Sequence, residues 1–320
     1  MAVPHKDHYY LLARSIHRGY IVPFLGAGVN LCDRPADQEF KRGEWLPSGD
    51  ELAKNLAVEF RYPFGDRADL LRIAQYVTLT IGGPALYDFL HELFDANYQP
   101  TTVHRFLASL PAVNRQEQGM IHQLIVTTNY DDALERAFSE AGKPYDLVYY
   151  IADGDEENLG KFLHVPPDGR AVVIEKPNEY DKVDLDQRAV IVKVHGMMNR
   201  ADRDRDSYVI TEDHYIDYLT RTDITNLLPV NVVSKLNDRR TQFLFLGYSL
   251  RDWNLRVILH RIWGTRAFRN RSWAIHRESD AIETEWWAKR GVQIFHLPLG
   301  EYIHELKRAV EETLEAGSAA

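Results

Sequence analysis

Four short runs of almost continuous apolar residues constrain the fold of this chain more than any other feature. They lie at residues 20–25, 124–127, 190–194 and 243–246, and they are rich in β-branched and aromatic side chains. A strand with one wet face alternates apolar and polar residues, whereas a strand buried on both faces reads as a continuous apolar run. Two weaker runs follow at residues 273–275 and 293–295, and helical patterns separate the runs. This order predicts an α/β fold with a Rossmann-like parallel sheet.

The long segment between the first two runs predicts a helical insertion. Ser48 and Glu51 form the capping-box pattern S-x-x-E, and apolar residues at helical spacing follow it. A connection of this length is more often a small structural module than a loop. We therefore expect a single domain over residues 1–320, with a helical insertion at about 47–111 that covers the carboxyl ends of the strands. Residues 199–206, which alternate arginine and aspartate, indicate a solvated loop.

The composition excludes several classes of protein. The formal net charge is -9 and 45% of the residues are hydrophobic, which is enough apolar material for a full core. A net negative charge disfavours direct binding to nucleic acid or to an anionic membrane. No apolar run is long enough for a membrane span or a signal peptide, so we expect a cytoplasmic protein. Cys32 is the single cysteine, so we expect no disulfide and no structural zinc.

Each of the four main strands is followed by small or polar residues. In an open parallel sheet, ligands bind outside the carboxyl ends of the strands. Any one of these ends alone is weak evidence, because an ordinary turn or a helix cap explains it. Together they predict one shared ligand site. The four ends are Gly26-Ala27-Gly28-Val29-Asn30, Thr127-Thr128-Asn129-Tyr130-Asp131, His195-Gly196 and Gly247-Tyr248-Ser249.

The individual residues at these ends suggest different roles. Glycines after the first strand allow a tight turn and a close approach of backbone N–H groups to a pyrophosphate, although the third glycine of the dehydrogenase fingerprint is absent. Asp131 or Asp132 can cap the next helix, but capping leaves the amide of Asn129 unexplained. A lone histidine at a strand end is more often structural, whereas the neighbouring ends favour a functional role for His195.

In this order, the four ends resemble the sirtuin signature G-A-G-x-S, T-Q-N-x-D, H-G and G-x-S. Residues 100–104, Pro-Thr-Thr-Val-His, resemble a further sirtuin feature. Asn30 stands in place of the serine of the first motif, and Thr128 stands in place of the glutamine of the second. Sirtuin deacylases also carry a zinc module with four cysteines, which this chain cannot build. These departures resemble the divergent bacterial SIR2-like branch, whose members deplete NAD in antiphage defence.

The resemblance implies that NAD is the substrate and assigns roles to residues of this chain. Asn129 is expected to orient the nicotinamide ribose or the attacking water, and Asp131 to face the nicotinamide carboxamide. His195 is expected to act as the general base, since an ordinary imidazole titrates near pH 6.5, at about the cellular range. The remaining residues are expected to bind the dinucleotide: Gly26, Ala27, Gly28, Asn30, Thr127, Thr128, Gly247 and Ser249.

The implied activity is hydrolysis of the bond between nicotinamide and ribose, with ADP-ribose or a cyclised form as the product. Two alternatives stay open: an NAD-dependent protein deacylase, and a catalytically silent subunit that binds NAD or ADP-ribose in a defence complex. The implied partners are a second copy of the chain or a subunit such as a HerA-type ATPase, a short Argonaute or a nucleotide-signal sensor. The candidate contact surfaces are the insertion and a basic stretch at residues 256–271.

Overall fold

A mostly parallel sheet forms the centre of the computed structural model, which describes residues 4–65, 69–115, 119–220, 226–248, 259, 270–276 and 281–318. The strands are β1 (Ile21–Leu25), β2 (Val113–Arg115), β3 (Gly119–Ile121), β4 (Leu124–Thr127), β5 (Tyr145–Tyr150), β6 (Phe162–Val165), β7 (Val172–Val173), β8 (Ala189–Lys193), β9 (Gly196–Met197), β10 (Ser207–Tyr208), β11 (Gln242–Leu246), β12 (Ser272–His276) and β13 (Val292–His296). The main sheet has the order β13-β12-β11-β1-β4-β8-β5-β6-β7. Among the described strands of this sheet, the antiparallel pairings are β5–β6 and β6–β7, and the other pairings are parallel.

The helices of the described residues precede, separate and follow these strands. They are α1 (Lys6–His17), α2 (Gly49–Glu59), α3 (Leu70–Thr80), α4 (Gly83–Phe94), α5 (Thr102–Ser109), α6 (Ala133–Glu140), α7 (Glu212–Thr220), α8 (Val230–Asn237), α9 (Ala281–Ala288) and α10 (Leu299–Ser318). None of the helices in the described ranges is long and apolar enough to cross a membrane. The predicted basic stretch at residues 256–271 falls almost wholly outside the described residues.

The predicted α/β fold with a parallel sheet is confirmed. All six expected strands are present, and both faces of the sheet are covered, which explains their continuous apolar character. On one face, apolar strand residues pack against α1, α5, α6 and α10, for example through Leu12, Phe106, Phe138 and Leu306. On the other face they pack against α7, α8 and α9, for example through Tyr218, Val232 and Trp287.

The register of the sheet brings the ends of four strands to one level. Leu25 at the end of β1 pairs with Leu246 of β11 on one side and with Thr127 of β4 on the other. Thr127 pairs in turn with Lys193 at the end of β8. From β1 the chain continues to β4, and from β11 it continues to β12 in the opposite direction. The crevice between β1 and β11 is therefore a topological switch point, where ligands of open α/β sheets bind.

Helices α2, α3 and α4 form a separate apolar cluster over this edge of the sheet. Leu56, Ile73 and Leu90 are buried in it together with Tyr208 of the β9–β10 hairpin. The predicted capping box begins α2: Ser48 Oγ accepts from the N–H of Glu51 at 3.2 Å, and the Glu51 carboxylate accepts from the N–H of Ser48 at 2.8 Å. Residues of α2, α3 and α4 line the same cavity as the strand ends, so the insertion covers them as expected. Helix α5 instead packs on a face of the sheet.

Candidate active site

A cavity of about 680 Å³ lies at the carboxyl ends of β1, β4, β8 and β11. Small-molecule sites usually enclose about 300–1,000 Å³. The insertion and the first turn of α10 complete its walls. Most of the predicted site residues line it: Gly26, Ala27, Gly28, Asn30, Thr128, Asn129, Asp131, His195 and Gly247. Thr127 is not among the lining residues, and Ser249 lies outside the described residues.

The glycines after β1 and β11 allow their two loops to touch. The N–H of Gly26 donates to the Leu246 carbonyl at 3.0 Å, and the N–H of Gly28 donates to the Gly247 carbonyl at 2.8 Å. A Cβ on Gly28 would lie 2.6 Å from that carbonyl oxygen, and Gly247 has a φ of +69°. Both positions therefore require glycine for packing within the protein. Of the three N–H groups expected to meet a pyrophosphate, only that of Ala27 lacks an acceptor within the described ranges.

Thr127 and Thr128 have different surroundings. The Thr127 hydroxyl donates to the Leu25 carbonyl at 2.9 Å and accepts from the N–H of Asn129 at 3.0 Å. This buried side chain shapes the turn that carries Asn129, without lining the cavity. Thr128 is half-buried and does line the cavity.

Asn129 has one satisfied and one unsatisfied polar atom. Its Nδ2 donates to the Gly26 carbonyl at 3.3 Å, which sets the plane of the amide. Its Oδ1 is buried and has no hydrogen-bond partner among the described residues. The side chain lines the cavity although the residue is only 8% exposed. An oriented amide oxygen in this position can accept a hydrogen bond from a ligand hydroxyl or a water.

His195 is buried against two tyrosines of α7. Its ring is nearly perpendicular to the rings of Tyr215 and Tyr218, and its Nδ1 lies 3.4 Å from the Tyr215 hydroxyl. Its Nε2 has no hydrogen-bond partner in the described part of the chain. Burial lowers the pKa of His195 to about 3. The expectation of an ordinary imidazole pKa near 6.5 is therefore wrong for His195: the ring is neutral throughout the physiological range, because desolvation disfavours the charged form.

Asp131 is held by contacts within the protein. Its Oδ2 accepts from the Asn30 side chain at 2.8 Å, and its Oδ1 accepts from the N–H of Ala133 at 3.1 Å. The second contact satisfies a free N–H at the first residue of α6, whereas the side chain of Asp132, the N-cap residue, makes no capping hydrogen bond. The backbone carbonyl of Asp131 accepts from the ammonium of Lys193, which also pairs with Glu135 at 2.7 Å. Burial is the largest influence on Glu135 and raises its pKa.

Residues 100–104 pack against the first motif. His104 Nδ1 accepts from the N–H of Thr101 at 3.0 Å, and the Thr101 hydroxyl lies within hydrogen-bond distance of the carbonyl of Val29, at 3.1 Å. The contact with Val29 ties the start of α5 to the short 3₁₀ turn Ala27–Leu31. Burial lowers the pKa of His104 to about 4, so this histidine is also neutral. The sirtuin-like segment at residues 100–104 therefore has a structural role, because it holds the loop of the first motif in place.

The charge around the cavity comes from carboxylates and backbone dipoles. The described lining residues include no lysine or arginine, whereas the exposed Asp50 and Glu301 lie at the rim. Residues 299–301 form the first turn of α10, whose N–H groups favour an anionic ligand. The sequence analysis did not predict this wall. Pro298 and Gly300 follow the strand predicted at residues 293–295, and such turn residues after a strand are the same type of signal as at the other four strand ends. Within the described ranges, no group of three or more histidine, cysteine, aspartate or glutamate residues could hold a metal ion.

Comparison with known proteins identifies relatives along most of this region. A family model described as the SIR2-like domain matches residues 123–295. The chain is 30% identical over 214 residues to the NAD(+) hydrolase ThsA of Acinetobacter baumannii, over 66% of this chain and 35% of that protein. It is 26% identical over 250 residues to ThsA of Cytobacillus dafuensis, over 78% of this chain and 39% of that protein.

A third relative extends the comparison to another named protein. The chain is 23% identical over 251 residues to the defense-associated sirtuin 2 of Bacillus subtilis, over 78% of this chain and 20% of that protein. The chain therefore spans between a fifth and two fifths of the length of these relatives. The family match covers more than half of the 320 residues and includes three of the four strand ends. The chain belongs to the SIR2-like domain family.

Proposed function

We propose that this chain is an NAD hydrolase that cleaves the bond between nicotinamide and ribose. The observation that carries the proposal is a pair of buried atoms, Oδ1 of Asn129 and Nε2 of His195, which have no hydrogen-bond partner among the described residues and belong to residues that line one cavity. Asn129 and His195 each lie two residues beyond a registered pair, Thr127 and Lys193, on neighbouring strands. Neighbouring strands are about 4.8 Å apart, so one small ligand can meet both groups.

The reaction suits the groups that are present. NAD⁺ and water give ADP-ribose, nicotinamide and a proton, and the nicotinamide leaves as a neutral amine without a general acid. The transition state develops positive charge on the ribose. A neutral His195 avoids the repulsion that an imidazolium would impose, and it can accept a hydrogen bond from water or from a ribose hydroxyl. The Asn129 oxygen is a second acceptor for the same hydroxyl or water.

The negative diphosphate is proposed to bind backbone N–H groups. The N–H of Ala27 and those of the first turn of α10 are the candidates beside the cavity. Asn30, Thr128 and Gly247 shape the surrounding wall. We keep Ser249 as a proposed additional hydroxyl donor, on the strength of the family resemblance alone.

The names of the relatives support the same reaction. Two of the proteins compared above are called NAD(+) hydrolase, and a third is called a defense-associated sirtuin. We therefore propose a role in defence, in which the activity depletes NAD. The deacylase alternative is less favoured, because Cys32 is the single cysteine and cannot supply a four-thiolate zinc module.

The test combines binding with turnover for the whole 320-residue chain. NAD is titrated by calorimetry, and release of nicotinamide and ADP-ribose is followed by chromatography. We expect binding together with formation of both products. Binding without products would favour the silent NAD-binding subunit, and turnover only with an acetylated peptide would favour the deacylase. Absence of both binding and products would reject the proposal.

We further propose that assembly controls this activity. The insertion exposes several large apolar side chains to solvent, with Val58 at 67%, Leu79 at 73% and Ile81 at 52% exposed. A contiguous patch of such side chains is typical of a surface that binds another protein, and we propose that these residues contribute to one that binds a second copy or a partner subunit. An equilibrium shifts only when a ligand or partner prefers one state. Solution mass and NAD turnover should therefore rise together with protein concentration, and a fully active monomer would contradict this control.

A further inference from the structure

The loop at residues 198–206 makes buried contacts with the rest of the protein, which its alternating arginine and aspartate residues do not predict. It joins β9 and β10, and β9 begins directly after His195. The prediction of a solvated loop is wrong for Asp206, which is 7% exposed and accepts from the N–H of Asn199 at 2.6 Å. Asp206 also lies 2.8 Å from the ring of His91 on α4. The loop is therefore anchored to the insertion.

Arg200 extends from this loop to the end of α4. Its Nη1 donates to the carbonyl and to the carboxylate of Asp95. Its Nη2 lies 3.4 Å from the carbonyl of Phe94 and 3.5 Å from that of Ala96. The last carbonyls of a helix have no partner within it and carry its negative dipole end, so a guanidinium stabilises them.

The same guanidinium binds a strand end of the site. Its Nε donates to Oδ2 of Asp132 at 2.8 Å, and its Nη2 lies 3.3 Å from Oδ1. Asp132 directly follows Asp131 in the chain. The Nε of Arg136 lies 3.1 Å from Oδ1 of Asp132. The hydrogen bonds with Asp132 raise the pKa of Arg200, so the guanidinium stays charged. Arg200 thus connects three segments: the hairpin after His195, the residue that follows the second motif and the end of α4.

The end of α4 matters to the cavity through Phe94. This residue lines the cavity, and its ring lies 6.0 Å from that of Tyr130, another lining residue of the second motif. We propose that Arg200 is a positioning residue, which holds Phe94 and the end of α4 against the strand end so that the cavity keeps the shape that NAD requires. The inference rests on the proposed function for its ligand, whereas the clamp itself is a property of the free protein.

The geometry requires arginine and not only a positive charge. Arg200 addresses two carboxylates and three backbone carbonyls at once, which its planar fork of five N–H donors permits. A lysine ammonium is a compact point charge with three donors on a flexible stem, so it can pair with Asp132 without bridging to α4. Arg200→Lys therefore separates the clamp from simple charge compensation.

The test compares Arg200→Ala, Arg200→Lys and a matched control, Arg203→Ala. Arg203 lies in the same loop and also pairs with α4, through the exposed Asp88 on its outer surface. We expect both Arg200 variants to weaken NAD binding by about tenfold or more, because a small displacement of a cavity wall is costly. The control should bind within about twofold of the parent chain. Amide hydrogen exchange at residues 94–98 should increase in both Arg200 variants only.

Each outcome decides between defined alternatives. Normal binding and normal exchange in Arg200→Ala would overturn the inference, and so would full rescue by Arg200→Lys. If Arg200→Ala does not fold by circular dichroism, Asp95→Ala removes one anchor of the clamp and leaves the pair with Asp132. That variant should raise exchange at the end of α4 and weaken NAD binding, and an unchanged result would overturn the clamp. If the parent chain binds no NAD, the proposed function fails while the exchange experiment still tests the clamp.

Discussion

The side-chain amide of Asn30 donates to Oδ2 of Asp131 across 2.8 Å and thereby joins the loops that follow β1 and β4. The other oxygen of the same carboxylate accepts from the N–H of Ala133, the first residue of α6. Asn30 stands where the sirtuin signature has serine. Asn30 and Asp131 are 5% and 4% exposed, so each depends on the other for hydrogen bonding in place of water. We infer that Asp131 acts mainly by holding the first two motifs together.

The Asn30–Asp131 pair predicts a specific loss of stability. Asp131→Ala leaves the Asn30 amide and the Ala133 N–H without their acceptor, which should lower the free energy of unfolding by about 1–3 kcal/mol. Asn30→Ala should cost less in the Asp131→Ala background than in the parent chain, because contacting residues couple. Urea unfolding of the parent chain, the two single variants and the double variant measures this coupling. Asp69→Ala is the control, since it removes only a cap, of Arg72 at 3.1 Å. Additive effects at Asn30 and Asp131 would contradict the pair.

Asn129 and His195 are predicted to be essential for turnover but not for folding. Asn129→Ala and His195→Ala should each reduce NAD turnover by about 10²–10³-fold, the usual cost of removing one oriented polar group that interacts with the transition state. The physical reason is that each substitution removes from the cavity an acceptor that no other described residue engages. Steady-state assays of variants shown to be folded by circular dichroism measure the effect. His304→Ala, on the exposed side of α10, should retain full turnover. Near-normal activity of either cavity variant would reject its assigned role.

The buried His195 predicts that the fold weakens in mild acid. Its pKa is about 3 in the folded chain, because burial disfavours the imidazolium. The unfolded chain has the ordinary value of about 6.5, so it binds more protons between about pH 6.5 and 3. The contribution of this residue to stability is complete above about pH 6.5 and is lost progressively as the pH falls towards 3.

The measurement is urea unfolding at about pH 7 and pH 5 for the parent chain and for His195→Gln, which cannot take up a proton. The parent should lose about 2 kcal/mol more than the variant between these two conditions. His304→Gln, at an exposed position, should behave as the parent does. An equal pH dependence in the parent and in His195→Gln would show that the histidine is not held neutral.

The contact between the loops after β1 and β11 predicts that alanine destabilises the protein at Gly28 but not at Gly49. Gly28→Ala places a Cβ 2.6 Å from the Gly247 carbonyl oxygen, and such overpacking should cost about 1–3 kcal/mol of the free energy of unfolding. Gly49→Ala is the matched control, because Gly49 also lines the cavity but a Cβ there meets no atom of the described residues within 4 Å. In thermal unfolding, the Tm of Gly49→Ala should match that of the parent chain, and the Tm of Gly28→Ala should be clearly lower than both. Equal stabilities would contradict the close approach of the loops.

The main strands were predictable because a parallel sheet buried on both faces leaves a local signature in the sequence. Strand β5 was missed since Asp146 lies in it and breaks the apolar pattern. That carboxylate is fully buried, and it is paired with His164 and Arg188 at 3.0 Å each. These partners are distant in sequence, so a local pattern cannot reveal that the charge is compensated. The same reason explains why the buried Asp206 resembled a solvated residue.

By itself the sequence determined the α/β class, the covered sheet and the residues at its strand ends, because apolar periodicity and turn residues act over a few neighbouring positions. Only the tertiary structure decided how those ends function. The register of β4 and β8 brings Asn129 and His195 to neighbouring strand ends that line one cavity. Among the described residues, the hydrogen bonds leave one atom of each without a partner, while both oxygens of Asp131 are satisfied. Whether a polar group is satisfied depends on residues a hundred positions away, and only folding brings them within hydrogen-bond distance.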